Sequence, residues 1–125
     1  WRVPAKATAT FACWFLFTDT TVTSANCFFS ERTGTTSTGY SIFIYPSTGR
    51  ILVDDGVRWN FISSMTFTQD VWYHLVVTRS PSEKKLYING ELKNSTNTVG
   101  NTSTINTNGC LIGLAQTGTA LITGN

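Results

Sequence analysis

Charge is scarce in this chain of 125 residues. Charged side chains make up 13% of the sequence, against about a quarter in ordinary soluble domains. Nine basic and seven acidic residues leave a net charge of +2, and the basic ones form no stripe that would suit nucleic acid. No apolar run approaches the ~18 residues of a membrane-spanning helix. We therefore expect neither a nucleic-acid partner nor insertion into a membrane.

Helical periodicity is also absent, because no segment repeats its apolar residues at a spacing of 3.6. Threonine instead occurs 22 times, and short apolar runs are separated by turn residues every ~8–12 positions. A composition rich in β-branched and hydroxyl residues is typical of β-sheets. The length suits one domain with a core of its own. The sequence therefore predicts a single all-β, antiparallel sandwich.

The clearest strand pattern lies in the second half of the chain. Residues 71–79 are rich in β-branched and aromatic side chains, and 84–89 alternate between two faces. Ser80-Pro81-Ser82 separates these two runs, because proline has no N–H for a strand ladder. Asn89-Gly90 is the dipeptide that a two-residue type I′ turn prefers. The pattern predicts three antiparallel strands joined by two tight connections.

Further strand candidates surround this stretch. The first is apolar on both faces, which is typical either of a strand covered on both sides or of one that carries a ligand surface. Asp54-Asp55-Gly56 is interpreted as a hairpin turn, because these residues are common in turns. The further candidates cover residues 7–17, 26–32, 40–45, 50–53, 57–62 and 110–114.

Three cysteines are an odd number, no two have C-x-x-C spacing, and one histidine accompanies them. These counts argue against a structural zinc site. Cys13 and Cys27 lie on neighbouring strand candidates, and a hairpin with a symmetric register would place them opposite each other and predict a disulfide. The alternative, which the sequence favours, is that they are small buried apolar residues.

Several motifs follow one another along the chain: Phe11-Ala12-Cys13-Trp14, then 28–32, 39–45 with 48–51, 72–78 with 85–92, and 111–113. Their order resembles the laminin G-like, concanavalin A-like family of lectins and glucanases. The most specific part is Trp72-Tyr73-His74 followed by a hydrophobic run, a short loop and a strand that ends in Asn89-Gly90. The resemblance implies one laminin G-like jelly-roll domain over residues 1–125, with Trp14 and Trp72 at core positions.

The resemblance also implies two further strands that this sequence does not contain. One would precede Trp1, the other would follow Asn125, and in the family fold the two lie side by side. A domain without its first and last strands exposes sheet edges. We therefore expect these residues to be a segment of a longer protein, or neighbouring chains or domains to supply strands at the open edges.

Catalytic residues are not evident. Related glucanases use an E-x-D-x-x-E motif, since glycoside hydrolysis needs two carboxyl groups close together. His74 has no acid or nucleophile beside it in the sequence and is interpreted as a packed strand residue. We therefore predict no enzyme activity. No spacing of that kind occurs among the seven acids: Asp19, Glu31, Asp54, Asp55, Asp70, Glu83 and Glu91.

The aromatic side chains are the candidate binding residues, because proteins hold sugars with aromatic faces and with planar polar groups. Trp59, flanked by Arg58 and Asn60, is the best surface candidate for a ligand. The alternative is that Trp59 packs inward with its neighbours of the same parity, Val57 and Phe61.

A metal site is a weaker prediction. Some relatives bind Ca²⁺ through carboxylates at the rim of the sandwich, and Asp54 and Asp55 are the candidates here. The seven acids are spread over the chain, which argues against a site, and the position ahead of Gly56 is better explained by a turn. We therefore expect no cofactor, with Ca²⁺ at this pair as the remaining alternative.

The resemblance implies a non-catalytic recognition or attachment module that binds glycans or surface proteins. Such modules are carried on cell-surface, secreted or virion (phage) proteins, so an extracellular or virion location is expected. The alternative is a structural decoration or assembly domain of a virus particle, phage particle or surface layer, without a sugar ligand. Fold analogy alone does not decide between them.

Overall fold

The computed structural model describes residues 8–30, 40–55, 58–62, 65–100 and 111–112. Within these ranges the chain forms strands and turns and contains no helix, as the lack of helical periodicity predicted. In particular, no helix in the described ranges is long and apolar enough to cross a membrane. The strands are β1 (Ala9–Phe15), β2 (Asn26–Ser30), β3 (Tyr40–Tyr45), β4 (Arg50–Asp55), β5 (Arg58–Ile62), β6 (Tyr73–Arg79), β7 (Lys84–Ile88), β8 (Glu91–Thr96) and β9 (Leu111–Ile112).

The strands form two sheets. One has four strands in the order β1-β6-β7-β8, and the other has five in the order β5-β4-β3-β2-β9. Every pairing is antiparallel. The predicted antiparallel β-sandwich is therefore confirmed.

The core lies between the two sheets because strand residues alternate between faces. β6 and β7 alternate between buried and half-buried side chains along their whole length. Phe15 is central to a group of rings, and its centroid lies 5.0–5.7 Å from four others. The buried aliphatic residues come from both sheets: Ile42, Ile44, Ile51, Val53, Leu75, Val77, Leu86 and Ile88.

A β-bulge in β2 adds two phenylalanines to this core. The register with β3 shifts between Cys27 and Phe29, so Phe28 has no partner of its own. A bulge interrupts the alternation of side chains, and Phe28 and Phe29 both belong to the main core. Cys27 belongs instead to a second buried cluster with Phe43 and Leu52.

The predicted hairpin between the first two strands does not form. β1 pairs with β6 in the four-stranded sheet, whereas β2 pairs with β3 and β9 in the other sheet. Cys13 and Cys27 therefore lie in different sheets, and no disulfide joins these two described residues. The disulfide prediction is wrong because it assumed local pairing, while the chain crosses from one sheet to the other between the two strands. Cys13 packs against the main core.

Burial makes Cys13 a poor nucleophile. It raises the pKa of the Cys13 thiol to about 11, and the thiolate is the reactive form. At pH 8 we expect iodoacetamide to alkylate Cys13 roughly 100-fold more slowly in the folded protein than in urea, the factor that a change of two pKa units gives. Peptide mapping after timed alkylation measures this ratio. Equal rates in the two states would show that Cys13 is accessible and ionised.

The predicted two-residue turn joins β7 to β8. Asn89 and Gly90 both have positive φ, 51° and 82°, as a type I′ turn requires, and Ile88 pairs with Glu91 across them. The backbone N–H of Asn89 donates to the carbonyl of His74 over 2.9 Å. The Asn89 side-chain oxygen Oδ1 accepts from the His74 N–H at 2.8 Å. The turn therefore also fixes the start of β6.

Gly90→Ala isolates the backbone cost of this turn. A Cβ at position 90 meets nothing within 4 Å, so no steric clash contributes. The left-handed conformation alone costs a residue with a Cβ about 1–2 kcal/mol. We expect urea unfolding to show a loss of stability of that size, with an unchanged m-value. Unaltered or higher stability would contradict the turn geometry.

The edges of the sheets bear on the predicted missing strands. Among the described residues, β1 and β8 are the outer strands of one sheet, and β5 and β9 are those of the other. The two ends of the chain, residues 1–7 and 113–125, lie outside the described part. The expectation that a first and a last strand are absent therefore stays a prediction.

Candidate functional site

Two tryptophans lie on the outer face of the four-stranded sheet. Trp14 is 64% exposed and Trp72 is 59% exposed. Phe15, the neighbour of Trp14 in β1, is buried in the core, so alternation along the strand places Trp14 on the opposite side. Trp72 immediately precedes β6, whose first residue Tyr73 is buried in the core. The resemblance to the family had assigned both tryptophans to core positions, and that assignment is wrong for this chain.

Trp14 stacks on His74 of the neighbouring strand. The two residues are directly opposite each other in the β1–β6 register. Their ring centroids are 4.7 Å apart, and their planes are inclined by 26°. Offset stacking of this kind is favourable between aromatic rings. Asn89 bonds to both the N–H and the carbonyl of His74, which fixes the backbone that carries the imidazole ring.

An apolar row crosses all four strands beside this stack. Ala12 is opposite Val76, Val76 is opposite Tyr87, and Tyr87 is opposite Leu92. Directly opposite residues of antiparallel strands share a face, and Leu92 is 49% exposed. Three strand spacings make the row about 14 Å long. We call the surface formed by Trp14, Trp72, His74, Val76, Tyr87 and Leu92 the outer aromatic surface.

The sequence contained a signal for this surface. The first strand candidate was apolar on both faces, and a ligand surface was one of its two explanations. Cys13 and Phe15 face the core, whereas Ala12 and Trp14 are exposed. The inner face is therefore the packed one, and the outer face of β1 remains in contact with solvent.

Charged side chains of β7, β8 and the loop before β7 form two ion pairs. Lys85 Nζ lies 2.9 Å from Glu83 Oε2, and Lys93 Nζ lies 2.6 Å from Glu91 Oε2. The hydrogen bond and the negative charge of Glu83 raise the pKa of Lys85 above its ordinary value. Both lysines are partly exposed, so water screens these attractions. Each pair is locally neutral.

The sequence-predicted ligand residues lie elsewhere. Arg58, Trp59 and Asn60 belong to β5, an outer strand of the five-stranded sheet in the described part. In the register with β4, Trp59 is opposite Val53, a core residue. The side chains of β5 are outside what the structure describes. A ligand site at these three residues therefore stays a prediction, and it would be separate from the outer aromatic surface.

Asp54 and Asp55 are not turn residues. They are the last two residues of β4, and both are fully buried. They are opposite Ser41 and Tyr40, respectively, so they face opposite sides of the sheet. Asp55 shares its side with the core residue Tyr40. The turn interpretation is therefore wrong. An ion-pair network around Asp55 explains how this acid can be buried in a strand.

The network joins the two sheets. Asp55 Oδ1 accepts a hydrogen bond from Lys84 Nζ at 2.9 Å, and Oδ2 accepts from Arg79 Nε at 3.0 Å and from the Gly100 N–H at 3.1 Å. Arg79 Nη2 also donates to the Gly100 carbonyl at 2.6 Å. Burial by itself raises the pKa of Asp55, but the bonds from Lys84 and Arg79 and the charge of Lys84 outweigh it. The pKa of Asp55 is therefore lowered.

This arrangement bears on the predicted Ca²⁺ site. Calcium needs six to eight oxygen ligands around one point, whereas Asp54 and Asp55 face opposite sides of a sheet. Nitrogen donors occupy both oxygens of Asp55. Within the described ranges, no three His, Cys, Asp or Glu side chains are grouped so that they could hold a metal ion. The geometry gives Asp55 a part in holding the fold.

Known structures resemble this fold. The binding domain of botulinum neurotoxin serotype D matches with a TM-score of 0.56 and 17% identity, over 84% of this chain and 31% of that one. A heptameric SAP-like pentraxin from Limulus polyphemus matches with a TM-score of 0.52 and 14% identity, over 80% and 49% of the two chains. The chain thus spans less than half the length of either structure. At these identities the likeness concerns the fold alone.

Sequence comparison gives the family. No curated protein sequence matches the chain. The laminin G-type model of the concanavalin A-like lectin/glucanases superfamily matches residues 2–125, which is nearly the whole chain. The sandwich architecture and the order of the motifs agree with this match. The chain therefore belongs to the concanavalin A-like lectin/glucanase superfamily.

Proposed function

We propose that this domain is a non-catalytic recognition module that attaches its parent protein to glycans through the outer aromatic surface. The observation that carries the proposal is the exposed Trp14, stacked on His74. A large aromatic side chain in contact with water forgoes the stabilisation that burial would give it, and contiguous exposed apolar surface is typical of interaction sites. An indole face presented to solvent suits the C–H face of a sugar ring.

Rigidity supports this role. The stack places Trp14 against His74 with the ring centroids 4.7 Å apart. The backbone of His74 is held in turn, because its N–H donates to Asn89 Oδ1 and its carbonyl accepts from the Asn89 N–H. Side chains that are already ordered lose less conformational freedom when a ligand binds. The stacked pair is therefore preorganised for ligand binding.

The described acids support the non-catalytic part of the proposal. Hydrolysis of a glycosidic bond needs one carboxyl group to protonate the leaving oxygen and a second to act as nucleophile or base. Asp55 is bonded to Lys84 and Arg79 inside the core, away from the outer aromatic surface. Glu83 and Glu91 are each paired with a lysine.

We further propose that the domain acts on a cell-surface, secreted or virion (phage) protein, where glycans are accessible. Two of the similar structures are a binding domain and a receptor binding domain of botulinum neurotoxins. A recognition role for this chain agrees with the binding role of those domains. Surface proteins, and neighbouring chains or domains at the sheet edges, are the partners that this setting offers besides glycans.

The second candidate is a structural or assembly domain of a virus particle, phage particle or surface layer. The same exposed side chains favour it, since Trp14, Trp72 and Leu92 are residue types that a protein interface also buries. This candidate predicts a partner of large buried area and no affinity for sugars. Glycan binding predicts the opposite.

A glycan array tests the proposal directly. The protein is applied with Ca²⁺ and again with a chelator, next to its Trp14→Ala and Trp59→Ala variants. We expect selective binding that survives the chelator and Trp59→Ala but is lost with Trp14→Ala. Loss with Trp59→Ala alone would move the site to β5, and loss with the chelator would restore the metal prediction. No binding by the folded protein would refute the glycan role and favour assembly.

A further inference from the structure

We infer that His74 is a pH-sensitive switch, whose protonation places a positive charge against Trp14 on the outer aromatic surface. Two observations carry the inference: the stack of the two rings, and the uncharged side chains that the strand register places next to that stack. The switch itself is a property of the free protein. Its effect on ligands rests on the recognition role proposed above.

Histidine is the residue type that ordinarily changes charge between about pH 5 and 8. The chain contains one histidine, and His74 is partly exposed, so protons reach it from the solvent. Aspartate, glutamate, lysine and arginine ordinarily keep their charge across this range. His74 is therefore the main side chain through which the protein changes charge between neutral and mildly acidic pH.

The stack holds the two rings together in both protonation states. Trp14 and His74 are opposite each other in the β1–β6 register, and their ring centroids are 4.7 Å apart. A neutral imidazole packs on the indole as one aromatic ring on another. An imidazolium at this position is a cation within the ~6 Å over which an indole face attracts one. Protonation therefore adds charge at the place that the stack defines.

The nearest neighbours of His74 on the outer face are uncharged at these pH values. β1 presents Trp14 and Ala12, and β7 presents Tyr87, which is opposite Val76. Tyr87 is ionisable, but tyrosine is neutral at acidic and neutral pH. A positive charge on His74 therefore changes the character of this part of the surface.

The charged residues of the neighbouring elements keep their charge as the pH changes. Lys85 is opposite Thr78, four residues along β6 from His74, or roughly 13 Å, which exceeds a Debye length of about 8–10 Å. Glu91 is opposite the core residue Ile88. Asp70 lies in the turn before β6. These charges are constant between neutral and mildly acidic pH, so a response in that range is attributed to His74.

A surface with this switch distinguishes ligands by their charge at acidic pH. Protonated His74 attracts an anionic group that binds beside Trp14, because opposite charges across an interface favour association. One such contact about 5 Å apart in water strengthens binding about fourfold. A neutral ligand gains nothing comparable, so its affinity changes little with pH.

Nuclear magnetic resonance of the free protein tests the switch without any ligand. The indole N–H signals are followed from pH 7.5 to pH 5.5 in the original protein, in His74→Gln and in Tyr87→Phe, which is the matched control on the same face. We expect the Trp14 signal to move in one step in the original protein and in Tyr87→Phe, and to stay in place in His74→Gln. A Trp14 signal that does not move, or that moves equally in His74→Gln, would overturn the inference.

Dextran and dextran sulfate test the effect of the switch on ligands. Their dissociation constants are measured at pH 7.5 and pH 5.5 in 50 mM NaCl, where screening is weak. We expect dextran sulfate to bind at least about fourfold more tightly at the lower pH, and the affinity for dextran to change less than about twofold. His74→Gln should remove the difference, and Tyr87→Phe should keep it. The same gain in His74→Gln would contradict the role of this residue.

The outcomes separate this inference from the glycan role. A Trp14 signal that follows the protonation of His74, with no binding of any glycan on the array, would support the switch and refute the glycan role. Glycan binding that is lost with Trp14→Ala, but whose preference for sulfated over neutral polymer is the same at both pH values, would support the glycan role and overturn the effect of the switch on ligands.

Discussion

Asp55→Ala is expected to remove about 3–5 kcal/mol from the free energy of unfolding, the usual cost of deleting one partner of a buried ion pair. The change leaves Arg79 and Lys84, both fully buried, without the carboxylate that they share. It also removes the acceptor of the Gly100 N–H. Urea unfolding measures the loss. Asp55→Asn keeps the shape of the side chain but not its charge. It provides a second measurement of the loss of stability if the alanine variant does not fold.

The matched control is Glu83→Ala, which deletes one partner of an exposed ion pair. Exposed pairs contribute about 0–1 kcal/mol, so this variant should stay within that range of the original protein. Similar losses for the two variants would contradict the assignment of Asp55 to a buried network that holds the sheets together.

The same network sets the response to acid. The pKa of Asp55 is lower in the folded protein than the ordinary value of 3.8, so protonation favours the unfolded state. Its stabilising contribution is complete above the ordinary pKa and is lost as the pH falls through the lower pKa of the folded state. We expect the free energy of unfolding to decrease below about pH 4, and Asp55→Asn to reduce this dependence. An identical acid profile in the variant would contradict the pKa direction.

Trp14→Ala is expected to weaken glycan binding about thirtyfold, or about 2 kcal/mol, as for an aromatic residue central to an interface. Because Trp14 is mostly exposed, the free energy of unfolding should fall by less than about 1 kcal/mol, the value of its stack on His74. Titration calorimetry with the strongest glycan measures the change in affinity, and urea unfolding measures the change in the free energy of unfolding.

Thr10→Ala is the matched control for Trp14→Ala. Thr10 lies on the same strand and the same face, at the polar end of that face. Its loss should change the dissociation constant by less than about threefold, in line with the near-neutral positions that surround an interface centre. Equal effects of the two variants would point to a general disturbance of β1, and an unchanged affinity after Trp14→Ala would remove this surface as the site.

The part of the fold that could be predicted from sequence is the part held together locally. β6, β7 and β8 follow one another through a tight loop and a two-residue turn, so alternation and the Asn89-Gly90 dipeptide were enough to place them. The overall sandwich followed from composition and from the order of motifs. For these three strands, local geometry and the family pattern indicate the same structure.

Pairing between distant segments could not be predicted. Cys13 and Cys27 were placed on a hairpin, but β1 pairs with β6, which lies far along the chain. Asp55 was placed in a turn because aspartate and the following Gly56 are common turn residues. Its partners Arg79 and Lys84 follow 24 and 29 residues later. Nothing in the sequence near Asp55 indicates those partners.

The candidate site was missed for a related reason. The family motif explains why a tryptophan stands at positions 14 and 72, but it does not say which face of the sheet each indole occupies. That depends on the register between β1 and β6, which sets Phe15 against Tyr73 in the core and Trp14 against His74 outside it. A shift of one residue would exchange the two faces.

Nuclear magnetic resonance of the indole N–H groups is the most direct test of the outer aromatic surface. Each of the four tryptophans has one indole N–H, and single substitutions assign the signals. The strongest glycan from the array is then titrated into the labelled protein. We expect the Trp14 and Trp72 signals to shift with the backbone amides of His74 and Tyr87, while the Trp59 signal stays in place. Shifts confined to Trp59 and β5, with Trp14 unchanged, would contradict the assignment of the binding site.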